Sequence, residues 1–171
     1  MTDLAVVTGA SRGIGRATAI ELASRGLDVA LLGHAGEAMD AAAAAVRDLG
    51  RRAEVVVCDV ADAAAVDRAR GAVLDVDVPV LVVNNAGIVH RGPRVEETDP
   101  GDWDRVVAVN LRGPFLVSRA FLPAMRRAGR GRFIHVASIS STIGCPRSAS
   151  YAATKWGLVG LAKSLAEELR G

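Results

Sequence analysis

Short apolar runs alternate along this chain with longer Ala-rich stretches, in which apolar and polar positions recur at helical spacing. The apolar runs predict β-strands at 4–8, 28–32, 53–57, 79–83 and 132–137. Because these runs are almost continuously apolar, they indicate strands buried on both faces, as in a parallel sheet. The stretches between them predict helices at about 13–25, 36–49, 62–74, 102–128 and 149–170, with Asp62 and Asp99-Pro100 as helix starts.

Alternation of strands and helices at this spacing predicts right-handed βαβ crossovers in a three-layer, doubly wound α/β sheet, the Rossmann fold. No linker or repeat divides the chain, so residues 1–171 are expected to form a single domain of this fold. The main irregular stretch, 86–101, follows the fourth strand. In such sheets, ligands bind beyond the carboxyl ends of the strands.

Composition narrows the class of protein. Half of the 171 residues are hydrophobic and the net charge is +2, which indicates a globular domain and favours neither nucleic acid nor membrane as a partner. An acid at Asp3 argues against a signal peptide, and no apolar run approaches the roughly 20 residues of a membrane span, so a cytoplasmic location is expected. Cys58 and Cys145 lack metal-binding spacing and are predicted to be free thiols, with no metal site.

A glycine-rich segment, T-G-A-S-R-G-I-G, directly follows the first strand and opens the first helix, with glycines at 9, 13 and 15. Such a turn lets backbone N–H groups approach a pyrophosphate at the helix N-terminus. A simple tight turn is the alternative interpretation of the glycines alone. Their position between strand and helix favours a dinucleotide site.

The end of the second strand indicates which dinucleotide is bound. NAD-binding folds of this kind place an acid there for the ribose 2′-hydroxyl, but L-L-G-H-A (31–35) contains none. Arg12 in the glycine loop can meet a phosphate, and His34 is either a second contact or an ordinary surface histidine. The sequence therefore favours NADP(H) over NAD(H).

Tyr151 and Lys155, in S-Y-A-A-T-K-W, form an unusual pair. Tyr151 is the only tyrosine, and Lys155 is one of two lysines against nineteen arginines. Residues at i and i+4 share one helix face, so the two side chains are expected to meet. Taken alone, the pair is also compatible with a coincidental exposed contact.

The three segments T-G-A-S-R-G-I-G, N-N-A-G and Y-A-A-T-K together resemble the short-chain dehydrogenase/reductase family of the classical type, and within it the 3-oxoacyl-[acyl-carrier-protein] reductases. The resemblance implies an NADPH-dependent oxidoreductase that transfers a hydride between nicotinamide and a ketone or secondary alcohol. A non-catalytic dinucleotide-binding protein, or a truncated inactive member of the family, is the alternative. Carried over onto this chain, the cofactor-binding residues are Gly9, Ser11, Arg12, Gly13, Ile14, Gly15, Asp59, Val60, Asn85, Ala86, Gly87, Tyr151 and Lys155.

The implied catalytic residues are Asn110, Ser138, Tyr151 and Lys155. Ser138 lies thirteen residues before Tyr151, a spacing that favours it over Ser140 and Ser141. Independently of the family, reduction of a ketone leaves an alkoxide that needs a proton and hydrogen bonds in place. A phenol can supply that proton, and a neighbouring ammonium stabilises the phenolate. Lysine suits this position better than arginine, because its charge is compact and its donors rotate.

The resemblance also implies surroundings for this site. Family members continue beyond the last helix with a sixth strand, a nicotinamide clamp and a substrate-covering segment, so the chain is C-terminally short and the sheet is expected to lack its last strands. Self-association through the last two helices, as a homodimer or homotetramer, is implied as well. His90 and Arg91 are candidate substrate contacts. The cluster Arg126, Arg127, Arg130 and Arg132 is either a solvated helix end or a site for an acidic carrier protein, and His135 is expected to be a packed histidine.

Overall fold

The architecture follows the predicted alternation of strands and helices. The computed structural model describes residues 2–89 and 92–170, so the prediction for His90 and Arg91 lies outside the described residues. The strands are β1 (Leu4–Thr8), β2 (Asp28–Gly33), β3 (Ala53–Val57), β4 (Leu81–Asn84) and β5 (Arg132–His135). The helices are α1 (Gly13–Ser24), α2 (Glu37–Arg47), α3 (Ala63–Leu74), α4 (Pro100–Val107), α5 (Gly113–Arg127) and α6 (Ala149–Glu168).

Helix starts agree with the sequence interpretation. The Asp62 carboxylate accepts a hydrogen bond from the backbone N–H of Ala64 at 2.9 Å, and the Asp99 carboxylate accepts one from Gly101 at 2.7 Å. Each bond satisfies an N–H group that the first turn of a helix leaves without a partner. Both predicted helix starts are confirmed.

The long helix predicted over 102–128 is interrupted. A π-helical segment, Ala108–Arg112, lies between α4 and α5. Pro114, two residues after this segment, has no N–H to donate to the carbonyl of Asn110 four residues earlier, which disfavours an uninterrupted α-helix. β4 likewise begins two residues later than predicted, after Pro79, whose missing N–H excludes it from the ladder.

The sheet is entirely parallel, with strand order β3-β2-β1-β4-β5, and the predicted fold class is confirmed. β2 and β3 lie on one side of β1, while β4 and β5 lie on the other. The crossovers therefore reverse direction between β1 and β4. A crevice opens at that reversal beyond the carboxyl ends of the strands, and this position is where ligands bind in doubly wound folds.

Two apolar layers enclose the sheet. On one face, β-strand residues pack with side chains of α3 and α5, among them Val73 and the fully buried Phe121. On the other face they pack with α1 and α2, including Ala19 and Met39. Complete burial of one such large side chain contributes about 1.5–3 kcal/mol, so these layers hold the strand ends in place. Within residues 2–89 and 92–170, no helix has the length and apolarity needed to cross a membrane.

His135 ends β5 as a partly buried histidine, in agreement with the expected packing role. Its Nδ1 lies 3.4 Å from the Asn84 side-chain amide nitrogen, which also donates to the Ser118 hydroxyl at 3.2 Å. Within the described residues, His135 Nε2 and Asn84 Oδ1 are buried and accept or donate no hydrogen bond. Burial lowers the pKa of His135 below its ordinary value of 6.5.

Because of this lowered pKa, the free energy of unfolding is expected to fall as the solution is acidified from about pH 7.5 to about pH 5. Below the ordinary pKa of histidine the unfolded chain binds a proton that folded His135 resists, so acid favours unfolding; above it both states are neutral. Urea midpoints at the two pH values measure the effect. In His135→Leu the decrease should be smaller, whereas His34→Leu, at an exposed position, should retain it. Equal decreases in wild type and His135→Leu would contradict the assignment.

Candidate active site

A cleft of about 680 Å³ lies at the carboxyl end of the sheet, at the reversal between β1 and β4. Four predicted residues, Gly13, Gly15, Asn110 and Ser138, do not line this cleft but belong to segments that border it. The structure brings the other predicted residues together along its walls: Gly9, Ser11, Arg12, Ile14, His34, Asp59, Val60, Asn85, Ala86, Gly87, Tyr151 and Lys155.

The glycine loop between β1 and α1 has a backbone that only glycine accommodates well. Gly9 and Gly13 have φ values of +64° and +56°, in the left-handed region. A Cβ atom on Gly15 would collide with the carbonyl oxygen of Gly9 and the Asn85 side chain. Backbone without side chains therefore faces the cleft at the N-terminus of α1. This loop, the glycine cradle, fits the pyrophosphate of a dinucleotide.

Gly15→Ala is expected to destabilise the chain by about 1–3 kcal/mol and to weaken nucleotide binding, because the new methyl group displaces the loop backbone. Urea unfolding and titration with NADP+ measure the two effects. Gly71→Ala is the matched control, since Gly71 is also helical but a Cβ there meets no atom within 4 Å. This control should be neutral or slightly stabilising. Equal nucleotide affinity in Gly15→Ala and wild type would contradict the role of the close approach.

Thr8 and Asn85 brace the glycine loop against the segment that follows β4. The Thr8 hydroxyl accepts hydrogen bonds from the backbone N–H groups of Asn85 and Ala86, both at 3.0 Å. The Asn85 side-chain amide donates to the carbonyl oxygens of Thr8, at 2.9 Å, and Gly9, at 3.2 Å. In this structure the amide nitrogen of Asn85 thus holds the loop in shape.

The far end of the cleft is suited to an adenosine. Arg12 and His34 are both exposed on its wall, and residues 31–35, which include His34, carry no acid. Asp59 lies beyond β3, where its carboxylate accepts a hydrogen bond from the Ala61 N–H at 2.9 Å. Burial, followed by the neighbouring Asp59 charge, raises the pKa of the Cys58 thiol to about 11, so Cys58 is a neutral part of the wall.

Asn110 lies in the π-helical segment and is fully buried. Its side-chain oxygen accepts from the Ile88 N–H and its nitrogen donates to the Ile88 carbonyl, both at 2.8 Å. The same nitrogen lies 3.4 Å from the Thr154 hydroxyl, which donates to the Tyr151 carbonyl at 2.7 Å. Asn110 therefore joins the segment after β4 to the helix that carries Tyr151. Such π-helical segments occur often at functional sites.

Ser138 follows β5 at the start of a short 3₁₀ turn, Ile139–Ser141. Its hydroxyl oxygen accepts from the Ser140 N–H at 3.2 Å, and its own N–H donates to the Ser141 hydroxyl at 3.2 Å. Ser138 is half-buried, whereas Ser140 and Ser141 are buried. This difference in exposure favours Ser138 among the three candidates for contact with a substrate.

Tyr151 and Lys155 face each other on α6 as their spacing predicts. The Lys155 Nζ lies 5.7 Å from the centroid of the Tyr151 ring and donates to the Val136 carbonyl at 2.7 Å. Lys155 is 5 % exposed, and its burial lowers the pKa of the ammonium. In the part of the chain that the structure describes, this carbonyl is the one hydrogen-bond acceptor of the ammonium, and it is neutral. A buried cation in such surroundings favours a nearby negative charge, such as a phenolate.

Among the polar residues of the site that sequence reasoning missed are Thr8, Thr154 and Arg105, the last of which lines the cleft from α4. Thr8 had a local signal, being a polar residue at the end of an apolar strand immediately before the glycine loop. Arg105 had no such signal, because charged residues on exposed helix faces are common.

Comparison with known proteins matches residues 3–171 to the model of the short chain dehydrogenase family. A 3-oxoacyl-[acyl-carrier-protein] reductase of Synechocystis is 39% identical over 172 residues, covering 98% of this chain and 68% of the relative. A cis-4-hydroxycyclohexanecarboxylate dehydrogenase of Sinomonas cyclohexanicum is 41% identical, with 95% and 66% covered. A gluconate 5-dehydrogenase of Gluconobacter oxydans is 36% identical, with 96% and 64% covered. The chain thus spans about two thirds of the length of these relatives.

Solved structures agree with these matches. A metagenomic short-chain oxidoreductase in complex with NADP superposes with a TM-score of 0.95 at 41% identity, covering 98% of this chain and 76% of that one. Levodione reductase superposes with a TM-score of 0.94 at 34% identity, covering 98% and 66%.

Proposed function

Since this chain belongs to the short-chain dehydrogenase/reductase family, we propose that it is an NADPH-dependent oxidoreductase acting on a ketone or secondary alcohol. The observation that carries the proposal is the convergence of two features on one cleft. The glycine cradle lines one part of this cleft, and the Tyr151–Lys155 pair lines another. A dinucleotide cofactor spanning the cleft would bring a reactive ring to the only phenol of the chain.

The glycine loop, Asp59, Val60 and the segment Asn85–Gly87 would hold the cofactor, which when bound supplies or accepts a hydride. Tyr151 donates a proton to the oxygen of the ketone during reduction and accepts it back during alcohol oxidation. Lys155 stabilises the resulting phenolate with its ammonium. Ser138 donates a hydrogen bond to the same substrate oxygen, and Asn110 keeps α6 in register with the rest of the site.

NADP(H) is proposed over NAD(H) because of the charges at the adenosine end. Arg12 and His34 offer donors to a 2′-phosphate, and residues 31–35 carry no carboxylate to repel one. A related short-chain oxidoreductase of known structure was crystallised with NADP, which is consistent with this preference. Direct comparison of NADPH with NADH as reductant distinguishes the two cofactors.

A 3-oxoacyl thioester is the proposed substrate class. 3-Oxoacyl-[acyl-carrier-protein] reductases recur among the most similar relatives, at 39% and 38% identity. The exposed arginines around the end of α5, Arg126, Arg127, Arg130 and Arg132, would suit an acidic carrier protein bearing that substrate. Other relatives oxidise alcohols such as D-threitol, so a panel of substrates is needed.

A homodimer or homotetramer is proposed as the assembled form. Phe115 on α5 and Trp156 on α6 expose 48% and 53% of their surface. Exposure of such large apolar side chains to water is energetically unfavourable. Covering them with the same face of a second copy removes this surface from water. Sedimentation of the protein as a monomer at micromolar concentration would contradict this proposal.

The proposed function is tested by following NADPH oxidation with 3-oxoacyl thioesters, cyclic ketones and sugar-derived ketones. Ketone-dependent turnover supports an enzyme, and the thioester is expected to have the highest kcat/KM. NADPH binding without turnover on any substrate would instead support a dinucleotide-binding protein that lacks catalysis. Titration calorimetry of NADPH binding separates these two results from a failure to bind cofactor.

A further inference from the structure

Arg105 is a cation in the cleft to which the proposed chemistry assigns no role. It lies on α4, is exposed, and lines the same cleft as the glycine loop and Tyr151. Among residues 2–89 and 92–170, no side chain or carbonyl forms a hydrogen bond or ion pair with its guanidinium. By contrast, the nearby Arg112 donates to the Ala61 carbonyl at 2.7 Å. Arg105 is therefore available to a ligand.

Helix register places Arg105 at the adenosine end of the cleft. Arg105 lies one turn before Val109, which lines the cleft and packs toward the apolar core, and two turns before Arg112. Arg112 is anchored to Ala61, and a Cβ atom on Gly113 would lie 2.9 Å from the Val60 side chain. This face of α4 and the π-helical segment thus opposes the loop that follows β3. Arg105 lies two helical turns from these contacts, on the same side of the helix and on the wall of the cleft.

The two walls of the cleft, the loop after β3 and the α4 side, differ in the contacts that they can make with a nucleotide base. Val60 is buried and apolar, and Asp59 is held by its bond to the Ala61 N–H. A planar guanidinium on the opposite wall can lie over the face of an aromatic ring, where cation–π attraction and stacking act together. Adenine is the aromatic group that a dinucleotide presents at this end.

We propose that Arg105 is a nucleotide-binding residue that covers the adenine base of the cofactor from the α4 side of the cleft. This inference rests on the proposed dinucleotide site and adds a specific contact to it. Arg105 closes the adenosine end, opposite Val60 and Ala61, and does not act on the ketone.

Nucleotide fragments test the role of Arg105 without any turnover. Calorimetric titrations with 5′-AMP, which carries adenine, and with nicotinamide mononucleotide, which lacks it, are compared in the wild type and in Arg105→Met. The affinity for 5′-AMP is expected to fall about threefold to tenfold, as loss of a partly desolvated cation–π contact implies. The affinity for nicotinamide mononucleotide should stay unchanged. Arg70→Met, at an exposed arginine of α3 outside the cleft, is the matched control and should bind both fragments as wild type does.

Arg105→Lys separates stacking from charge. Lysine keeps the positive charge but lacks the planar fork, so its affinity for 5′-AMP should lie between those of the wild type and Arg105→Met. Unchanged 5′-AMP binding in Arg105→Met, or equal losses for both fragments, would overturn the assignment while leaving the dinucleotide site intact. No binding of 5′-AMP or NADPH to the wild type would overturn the proposed function itself.

Discussion

Tyr151→Phe is expected to lower kcat for ketone reduction by about 10²–10⁴-fold, the range that a positioned general acid contributes. Phenylalanine keeps the ring, its packing on α6 and its place beside Lys155, but it removes the only phenolic hydroxyl of the chain. We expect no other side chain to donate a proton to the substrate oxygen in its place. The Lys155 ammonium donates to the Val136 carbonyl and stands 5.7 Å from the ring centroid.

The measurement is NADPH oxidation at saturating ketone, with cofactor affinity determined in parallel by calorimetry. Because the glycine loop and β3 end do not depend on the hydroxyl, NADPH affinity should change little in Tyr151→Phe. Far-ultraviolet circular dichroism checks that the fold is retained. If the variant keeps more than about a tenth of wild-type kcat, the proton must come from another group, and the role assigned to Tyr151 is wrong.

Lys155→Met is expected to lower kcat by about 10²-fold or more and to change the pH profile of alcohol oxidation. Methionine is close to lysine in length and fills the buried site without a charge. Removing the ammonium destabilises the phenolate form that accepts a proton from the alcohol, so the rate should rise only at higher pH than in wild type. The lost bond to the Val136 carbonyl should also weaken the contact between α6 and the segment that follows β5.

The pH profile separates this role from a purely structural one, since a packing defect lowers the rate at every pH alike. Lys163→Met is the matched control, because Lys163 is the only other lysine and lies exposed on the same helix. That variant should keep both the rate and the profile. A Lys155→Met enzyme with reduced rate but an unshifted profile would show that the ammonium does not act on the phenol.

The local sequence pattern was sufficient to predict the strands of this fold and the starts of two of its helices. Apolar runs located the five strands that the structure describes, and β1 and β2 are buried on both faces as such runs predict. β5, at the edge of the sheet, is only partly buried, with Arg132 and Ile134 exposed. Asp62 and Asp99 marked helix starts because capping is satisfied by the residue itself and its neighbours. The spacing of Tyr151 and Lys155 also located their contact, since both lie within one helical turn of each other.

Patterns of this kind were insufficient where distant segments meet. The π-helical segment Ala108–Arg112 was not predicted, because its unwinding accompanies the buried bonds between Asn110 and Ile88. Thr8 and Asn85 are separated by 77 positions and meet only because β4 pairs with β1. His135 could be expected to pack, but the burial that lowers its pKa depends on the strand and helices around it.

By itself, the sequence determined the glycine cradle and the phenol–ammonium pair, because each is set by residues within a few positions of one another. It also determined the class of the fold, because the alternation of strands and helices can be followed along the chain. The tertiary structure alone decided that Asn85 braces the glycine loop, that Asn110 joins the segment after β4 to α6, and that Arg105 enters the cleft. These contacts depend on the strand order and on how α4 and α6 pack across it. Strand order depends on the chain crossovers over the whole domain, so it cannot be predicted from a local pattern of apolar and polar residues.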